Sequence, residues 1–161
     1  MKLRHATPAD RALLECWDRK PHVVAATGDD DEQDWAPALA APAPWQENLV
    51  AELDGRPVGI VQVIDPARES TRYWGDVEPD LRALDIWIGE ESDLGRGYGS
   101  EIMRLVIARC FAEPRVRAIL VDPLASNRRA RRFYERLGFR AVERRRFGND
   151  DCIVYRLDRP C

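Results

Sequence analysis

Between Leu84 and Ser100 the chain changes its pattern twice. Leu84-Asp85-Ile86-Trp87-Ile88 alternates, with Leu84, Ile86 and Ile88 on one side and Asp85 and Trp87 on the other, as a strand does. Glycines then stand at 95, 97 and 99, separated by Arg96 and Tyr98, and the run from Gly97 to Phe111 predicts a helix ended before Pro114. A strand, a glycine-rich turn and a helix in close succession suit one chemistry above others. Without side chains the backbone approaches an anion closely, and the free N–H groups of the first helical turn supply donors reinforced by the helix dipole. A phosphate or pyrophosphate fits, with Arg96 as an additional charge. Neither G-x-G-x-x-G nor G-x-x-x-x-G-K-[ST] occurs, so the two common nucleotide fingerprints are excluded.

The rest of the chain mixes strands and helices around that unit. Lys2 to Thr7 reads as an opening strand, followed by a helix from Thr7-Pro8 to about Arg19 that buries Leu13, Leu14 and Trp17 and is stopped by Pro21. Residues 28–46 are irregular, with the acidic run Asp29-Asp30-Asp31-Glu32 and a short helix around 31–40. Residues 49–53 and 58–64 form strands joined by a turn at Asp54-Gly55, a strong hairpin signal. Residues 65–80 are a polar loop holding Tyr73 and Trp74. Residues 116–121 are a strand, and 126–137 a helix whose apolar face is Ala130, Phe133, Tyr134 and Leu137, closed by Gly138. A hairpin of 139–147 and 152–157 ends the chain. The class is α/β or α+β, one domain over residues 1–161 around a central sheet.

Composition narrows the setting. The 161 residues are 45% hydrophobic and 33% charged, a globular balance, and no apolar run approaches the ~20 residues of a membrane span. The four cysteines, at 16, 110, 152 and 161, form no C-x-x-C pair, and the N-terminus lacks a secretory signal, so reduced thiols in the cytoplasm are expected. His5 and His22 are too few for a metal site or a cysteine–histidine pair. Residues 1–80 hold 16 acidic and 8 basic side chains, residues 81–161 hold 12 and 17, which hints at one cationic and one anionic ligand.

A second motif makes the pattern specific. Asn127-Arg128-Arg129-Ala130-Arg131-Arg132-Phe133-Tyr134-Glu135-Arg136-Leu137-Gly138-Phe139, together with the glycine loop, resembles the GNAT superfamily of N-acetyltransferases, with Leu94 where the loop's first signature residue is often Gln or Arg. The resemblance implies a GNAT-like domain with a central mixed, largely antiparallel sheet flanked by helices, and acetyl-CoA as co-substrate without a metal. It implies that Leu94, Gly95, Arg96, Gly97, Tyr98 and Gly99 hold the pyrophosphate, that Ile86, Trp87 and Ile88 pair with the pantetheine arm like an extra strand, that Asn127 hydrogen-bonds near that arm, and that Tyr134 protonates the leaving thiolate. Arg128, Arg129, Arg131 and Arg132 are candidates for the 3′-phosphate or a solvated helix face.

Within that superfamily the chain is similar to the aminoglycoside 6′-N-acetyltransferase group. Glu78-Pro79-Asp80-Leu81-Arg82-Ala83-Leu84-Asp85 matches its acidic-Pro-x-x-Arg-x-apolar-Asp segment, Tyr73-Trp74 fall near its tandem tryptophans, and Asp122-Pro123 near its Asp-Pro. This likeness implies Asp85 as proton acceptor and Trp74, Glu78, Asp85 and Asp122 as substrate-binding residues. Where the group carries tandem aromatics this chain has Ala25-Ala26, and Trp35 or Trp45 is the candidate replacement wall. The expected acceptor is a small polycationic amine, an aminoglycoside first, with a siderophore hydroxylamine, a polyamine or a protein amine as rivals. The expected protein is a monomer or homodimer without nucleic-acid or membrane partners. The rival of another class is a nucleic-acid-binding module using the arginines of 128–146, which would need exposed aromatics among them.

Overall fold

The computed structural model describes residues 1–28 and 33–161. Its strands are β1 (Lys2–His5), β2 (Gln46–Leu53), β3 (Arg56–Ile64), β4 (Leu81–Ile88), β5 (Ala118–Val121), β6 (Arg140–Phe147) and β7 (Asp150–Asp158), and its helices α1 (Arg11–Asp18), α2 (Pro21–Thr27), α3 (Trp35–Ala40), α4 (Tyr98–Ala112) and α5 (Arg128–Arg136). The strands form one sheet in the order β1-β2-β3-β4-β5-β7-β6. Every neighbouring pair is antiparallel except β4 and β5.

Alternation along the strands sorts the helices onto two faces. Leu49, Val61, Leu84 and Ile119 face Ile102, Met103 and Val106 of α4 and Tyr134 of α5 in the largest buried cluster. Val50 and Ile60 face Leu14, Trp17, Trp35 and Leu39 of the N-terminal helices, with Trp87 packed alongside. The split that the sequence of β4 implies is therefore realised, with Ile86 toward α4 and Trp87 on the opposite side. A third cluster joins Leu81, Ala83, Ala118 and Leu120 to Trp74, Phe147, Cys152 and Val154.

The parallel pair is short. β4 and β5 are registered only from Leu81↔Ala118 to Ala83↔Leu120, whereas β3 follows β4 to Ile88. Beyond Ala83 the two strands part, and among the described residues no strand pairs with residues 84–88 on the β5 side. A sheet that opens in its middle offers a backbone edge to an extended ligand.

Several local expectations change. Pro21 does not simply stop a helix; it opens α2 at its first turn, where its missing N–H is no loss. Val23, buried, anchors that helix. The short helix expected around 31–40 begins at Trp35, with the Asp34 carboxylate accepting from the Ala36 amide at 3.3 Å. The acidic run 29–32 lies outside the described residues. Asp54 and Gly55, at φ 52° and 79°, make the two-residue turn that the Asp-Gly pair predicts. Among the described residues no helix is long and apolar enough to cross a membrane.

Candidate active site

The glycine loop is held from behind. The Gly89 amide donates to the Val58 carbonyl at 3.0 Å, and a Cβ on Gly89 would sit 1.9 Å from the Trp17 ring, so only glycine fits beneath that indole. Asp93, 5% exposed, takes two hydrogen bonds from the Arg56 guanidinium at 2.7 and 3.1 Å. That pairing holds the Asp93 carboxyl below the ordinary carboxylate range despite the cost of burial. The loop's outer side is open. Gly95 and Gly97 have φ of 72° and 82°, and a Cβ on either would meet nothing within 4 Å. The first amide bonded back to this turn is that of Glu101, onto Gly97 at 3.1 Å, and no side chain caps the helix. The Leu94 amide is taken by the Glu91 carbonyl at 3.1 Å, and among the described residues no backbone partner is found for the amides of 95–100, which leaves them as donors. Arg96 folds onto the Ser92 carbonyl at 2.9 Å, and Gly99 admits Phe133 of α5 at contact distance. The loop from Gly95 to Gly99 thus fits a pyrophosphate, whereas Leu94, expected to share in holding it, has its amide engaged with Glu91.

Across the opening in the sheet stands α5. Asn127 caps it, its Oδ1 accepting from the Ala130 amide at 3.1 Å, which leaves the side-chain NH2 as the donating end. Arg131 points inward, donating to the Tyr155 hydroxyl at 3.2 Å and the Ala125 carbonyl at 3.1 Å, so it is structural and not one of the arginines available to a phosphate. Tyr134, 8% exposed, belongs to the core and lines the cleft at the same time. Burial first, and the charges of Asp85 and Asp122 second, push its hydroxyl above the ordinary tyrosine range and keep it protonated. Phe133 is half-buried and packs on Tyr134, so neither ring is offered to a nucleic-acid base.

The cleft in front of Tyr134 has a volume of about 400 Å³, and its charged lining is Asp18, Glu69, Asp85, Asp122 and Asp150, with no Lys, Arg or His among the described lining residues. Two of these acids have structural work. Asp18 accepts from the Trp35 indole at 2.6 Å, and burial raises its carboxyl against that hydrogen bond. Burial opposes ionisation of Glu69 too. Its bonds from the Thr71 hydroxyl and amide, at 2.6 and 2.8 Å, and from the Tyr73 amide at 2.9 Å hold it below the ordinary range. Asp85 lies on β4 opposite Gln62, whose amide joins Asn48 and Gln33 in a polar wall.

Of the residues singled out from sequence, Trp74, Asp85, Ile86, Trp87, Asp122, Asn127 and Tyr134 line this one cleft. Ile88, residues 94–99 and Glu78 are not among its lining. Glu78 pairs with Arg156 and, at 3.5 Å, Arg117. Trp74 is 5% exposed and sits edge-on beneath Tyr73, which is 40% exposed and forms the accessible wall instead. Trp45 and Ala26 both line the cleft, whereas Trp35 is buried against Trp87. His22 bonds the Ile88 carbonyl at 2.9 Å and His5 is mostly exposed, so neither enters the cleft. Sequence reasoning missed Asp18, Gln62, Glu69, Asp150 and the Tyr73 hydroxyl, which donates to Asp122 at 2.6 Å. Only Tyr73 carried a signal, its place beside Trp74.

The loop of backbone amides is joined to the acidic cleft through α5, where Phe133 meets Gly99 and packs on Tyr134, and through β4, whose residues 84–87 line the cleft. A family model of the acetyltransferase (GNAT) domain matches residues 6–147. The aminoglycoside N(6′)-acetyltransferase type 1 of Klebsiella pneumoniae is 30% identical over 149 positions, covering 85% of this chain and 72% of that protein. The lysine N-acyltransferase MbtK of Mycobacterium tuberculosis is 29% identical over 171 positions, covering 98% and 77%. A crystal structure of the aminoglycoside acetyltransferase AAC(6′)-Ib with coenzyme A superposes with a TM-score of 0.87 at 27% identity, covering 98% of this chain and 94% of that one. The same enzyme with coenzyme A and kanamycin gives 0.86 at 26%, covering 98% and 94%. The chain belongs to the GNAT acetyltransferase family and is an acetyl-CoA-dependent N-acetyltransferase.

Proposed function

We propose that the chain transfers acetyl from acetyl-CoA to a primary amine of a small polycationic acceptor of the aminoglycoside class, acting in the cytoplasm as an antibiotic-modifying enzyme. The observation that carries this reading is the charge of the cleft, five carboxylates and no cation among its described lining. Such a surface concentrates a polyammonium ligand and repels an acceptor with a free carboxylate, which disfavours free lysine, the amino acid in the name of the MbtK relatives. The similarity to the Klebsiella enzyme and to the kanamycin-bound structure agrees with it.

In this reading the amides of 95–99 hold the pyrophosphate, residues 86–88 pair with the pantetheine arm, and the Asn127 side chain donates to it. Asp85 orients the acceptor ammonium and takes its proton, directly or through water. The amine nitrogen attacks the thioester carbonyl and forms the N–C bond. When the tetrahedral intermediate collapses the C–S bond breaks and Tyr134 gives its proton to the departing sulfur, while the nitrogen sheds its second proton as the amide forms and that proton returns to the tyrosinate, directly or through water. Holding both reactants in one cleft supplies much of the acceleration.

The test is a thiol-release assay with acetyl-CoA and a panel of kanamycin-type aminoglycosides, polyamines, N-hydroxylated diamines and lysine peptides. Fastest turnover is expected with the aminoglycosides. Turnover confined to hydroxylamines or peptides would overturn the acceptor while leaving acetyl transfer intact.

A further inference from the structure

Tyr73 is the most exposed aromatic of the cleft, yet its ring is tightly fixed. It stacks on Phe147 with centroids 4.5 Å apart and planes 7° from parallel, and meets Trp74 edge-on at 5.7 Å. Phe147 is in turn covered by the Arg145 guanidinium at 4.7 Å. The backbone that delivers the ring is fixed as well. Glu69, almost fully buried, ties the amides of Thr71 and Tyr73 and the Thr71 hydroxyl into one turn, and Arg72 within it adopts φ 55°, a conformation an arginine rarely takes unaided. All of this ends on one atom. The Tyr73 hydroxyl lies 2.6 Å from Asp122 Oδ2, across 49 residues of sequence.

A phenol at the end of a clamped ring is a rigid donor, and its bond to a carboxylate is of the strong, charge-assisted kind. It limits the rotation of a short side chain on the loop after β5. We propose that Tyr73 is a positioning residue that fixes the Asp122 carboxylate to receive a second ammonium group of the acceptor, so that the enzyme selects di- and polyamines over monoamines. The proposal rests on the cationic-acceptor reading above and adds the residue that makes the selection. Asp85 deals with the reacting amine, while Asp122, held by Tyr73, reads a charge elsewhere on the same molecule.

The experiment is initial-rate kinetics on the intact enzyme with saturating acetyl-CoA, comparing a kanamycin-type polyamine with a monoamino sugar of similar size. The variants are Tyr73→Phe, Asp122→Asn and the double. Tyr73→Phe keeps the ring and its stacking and removes only the hydroxyl. The expected result is a rise in KM of roughly tenfold for the polyamine, the scale of one hydrogen bond to a charged group. kcat should change much less than KM, and the monoamine KM much less than the polyamine KM. Once Asp122 is Asn, removing the hydroxyl should cost little more. Equal losses for both acceptors, additive effects of the two substitutions, or an unmoved polyamine KM in Tyr73→Phe would overturn the positioning role alone. A wild-type enzyme that prefers the monoamine would overturn both the role and the acceptor reading beneath it.

Discussion

The two sides of the cleft recognise charge by opposite means. The cofactor side is backbone. In the proposed reading the amides at the start of α4 and the edge of β4 that no strand covers among the described residues would make the contacts, and the side chains nearby, Arg56 on Asp93 and Trp17 over Gly89, hold that backbone still. The acceptor side is side chain, with Asp18, Glu69, Asp85, Asp122 and Asp150 delivered by α1, the loop after β3, β4, the loop after β5 and the start of β7. A backbone cradle suits a ligand that never varies, because it depends on φ and ψ rather than on residue type. A ring of carboxylates can be retuned one residue at a time, which suits a ligand that does vary.

If the two sides meet at Asp85 and Tyr134, the largest losses should come from these two residues. Tyr134→Phe should lower kcat by about 10²- to 10⁴-fold with acetyl-CoA binding nearly intact, and Asp85→Asn should lower kcat/KM on the same scale. Wild-type turnover in steady-state kinetics would return either residue to a purely structural role. Next in size is salt. Raising ionic strength from about 0.05 M to about 0.5 M shortens the Debye length severalfold, and the acceptor KM should rise by about tenfold while kcat falls little. An acceptor KM indifferent to salt would deny the carboxylates their steering role.

The smallest effects concern the fold that supports the cradle. Arg56→Ala leaves Asp93 buried without its partner and should cost about 1–3 kcal/mol in urea unfolding, with the acetyl-CoA KM raised and the acceptor KM unmoved. The pH dependence has two limbs. Asp10 and Asp93, paired with Arg4 and Arg56, sit below the ordinary carboxylate range when folded, Asp10 by its Arg4 hydrogen bond first. Each stabilises the fold above the unfolded value of about 3.9, and that contribution is lost as pH falls through the lower folded value. Tyr134 is raised, so above about pH 10 the unfolded chain releases a proton that the folded chain retains, and stability falls there too. Unfolding free energies flat below pH 4 and above pH 10 would contradict these assignments.

The difference between the sides also decides what could be read from sequence. Gly95, Gly97 and Gly99, and the run from Asn127 to Phe139, are contiguous, so the cradle and α5 are visible as motifs. The acceptor side is assembled across long separations from residues that are locally unremarkable. Asp150 sits where a hairpin turn would be expected to carry a polar residue in any case. Glu78 shows the reverse error, since its motif pointed to the cleft while Arg156, 78 residues on, draws it away. Tyr73 and Trp74 are neighbours of which one is exposed and one buried, and the choice is made by Phe147, far along the chain. Pro21 is compatible with ending one helix or beginning the next; burial of Val23 favours the second.

The most direct test of this division is a crossed pair of variants in two-substrate initial-rate kinetics. Gly97→Val places a β-branched residue at φ 82° and fills the open side of the cradle, while Asp122→Asn removes a charge from the other side. The first should raise the acetyl-CoA KM by about 100-fold or more and leave the acceptor KM near wild type. The second should raise the acceptor KM by about tenfold and leave the acetyl-CoA KM unchanged. If both variants raise the same KM, or each raises both alike, the cleft is not divided into a backbone side and a carboxylate side.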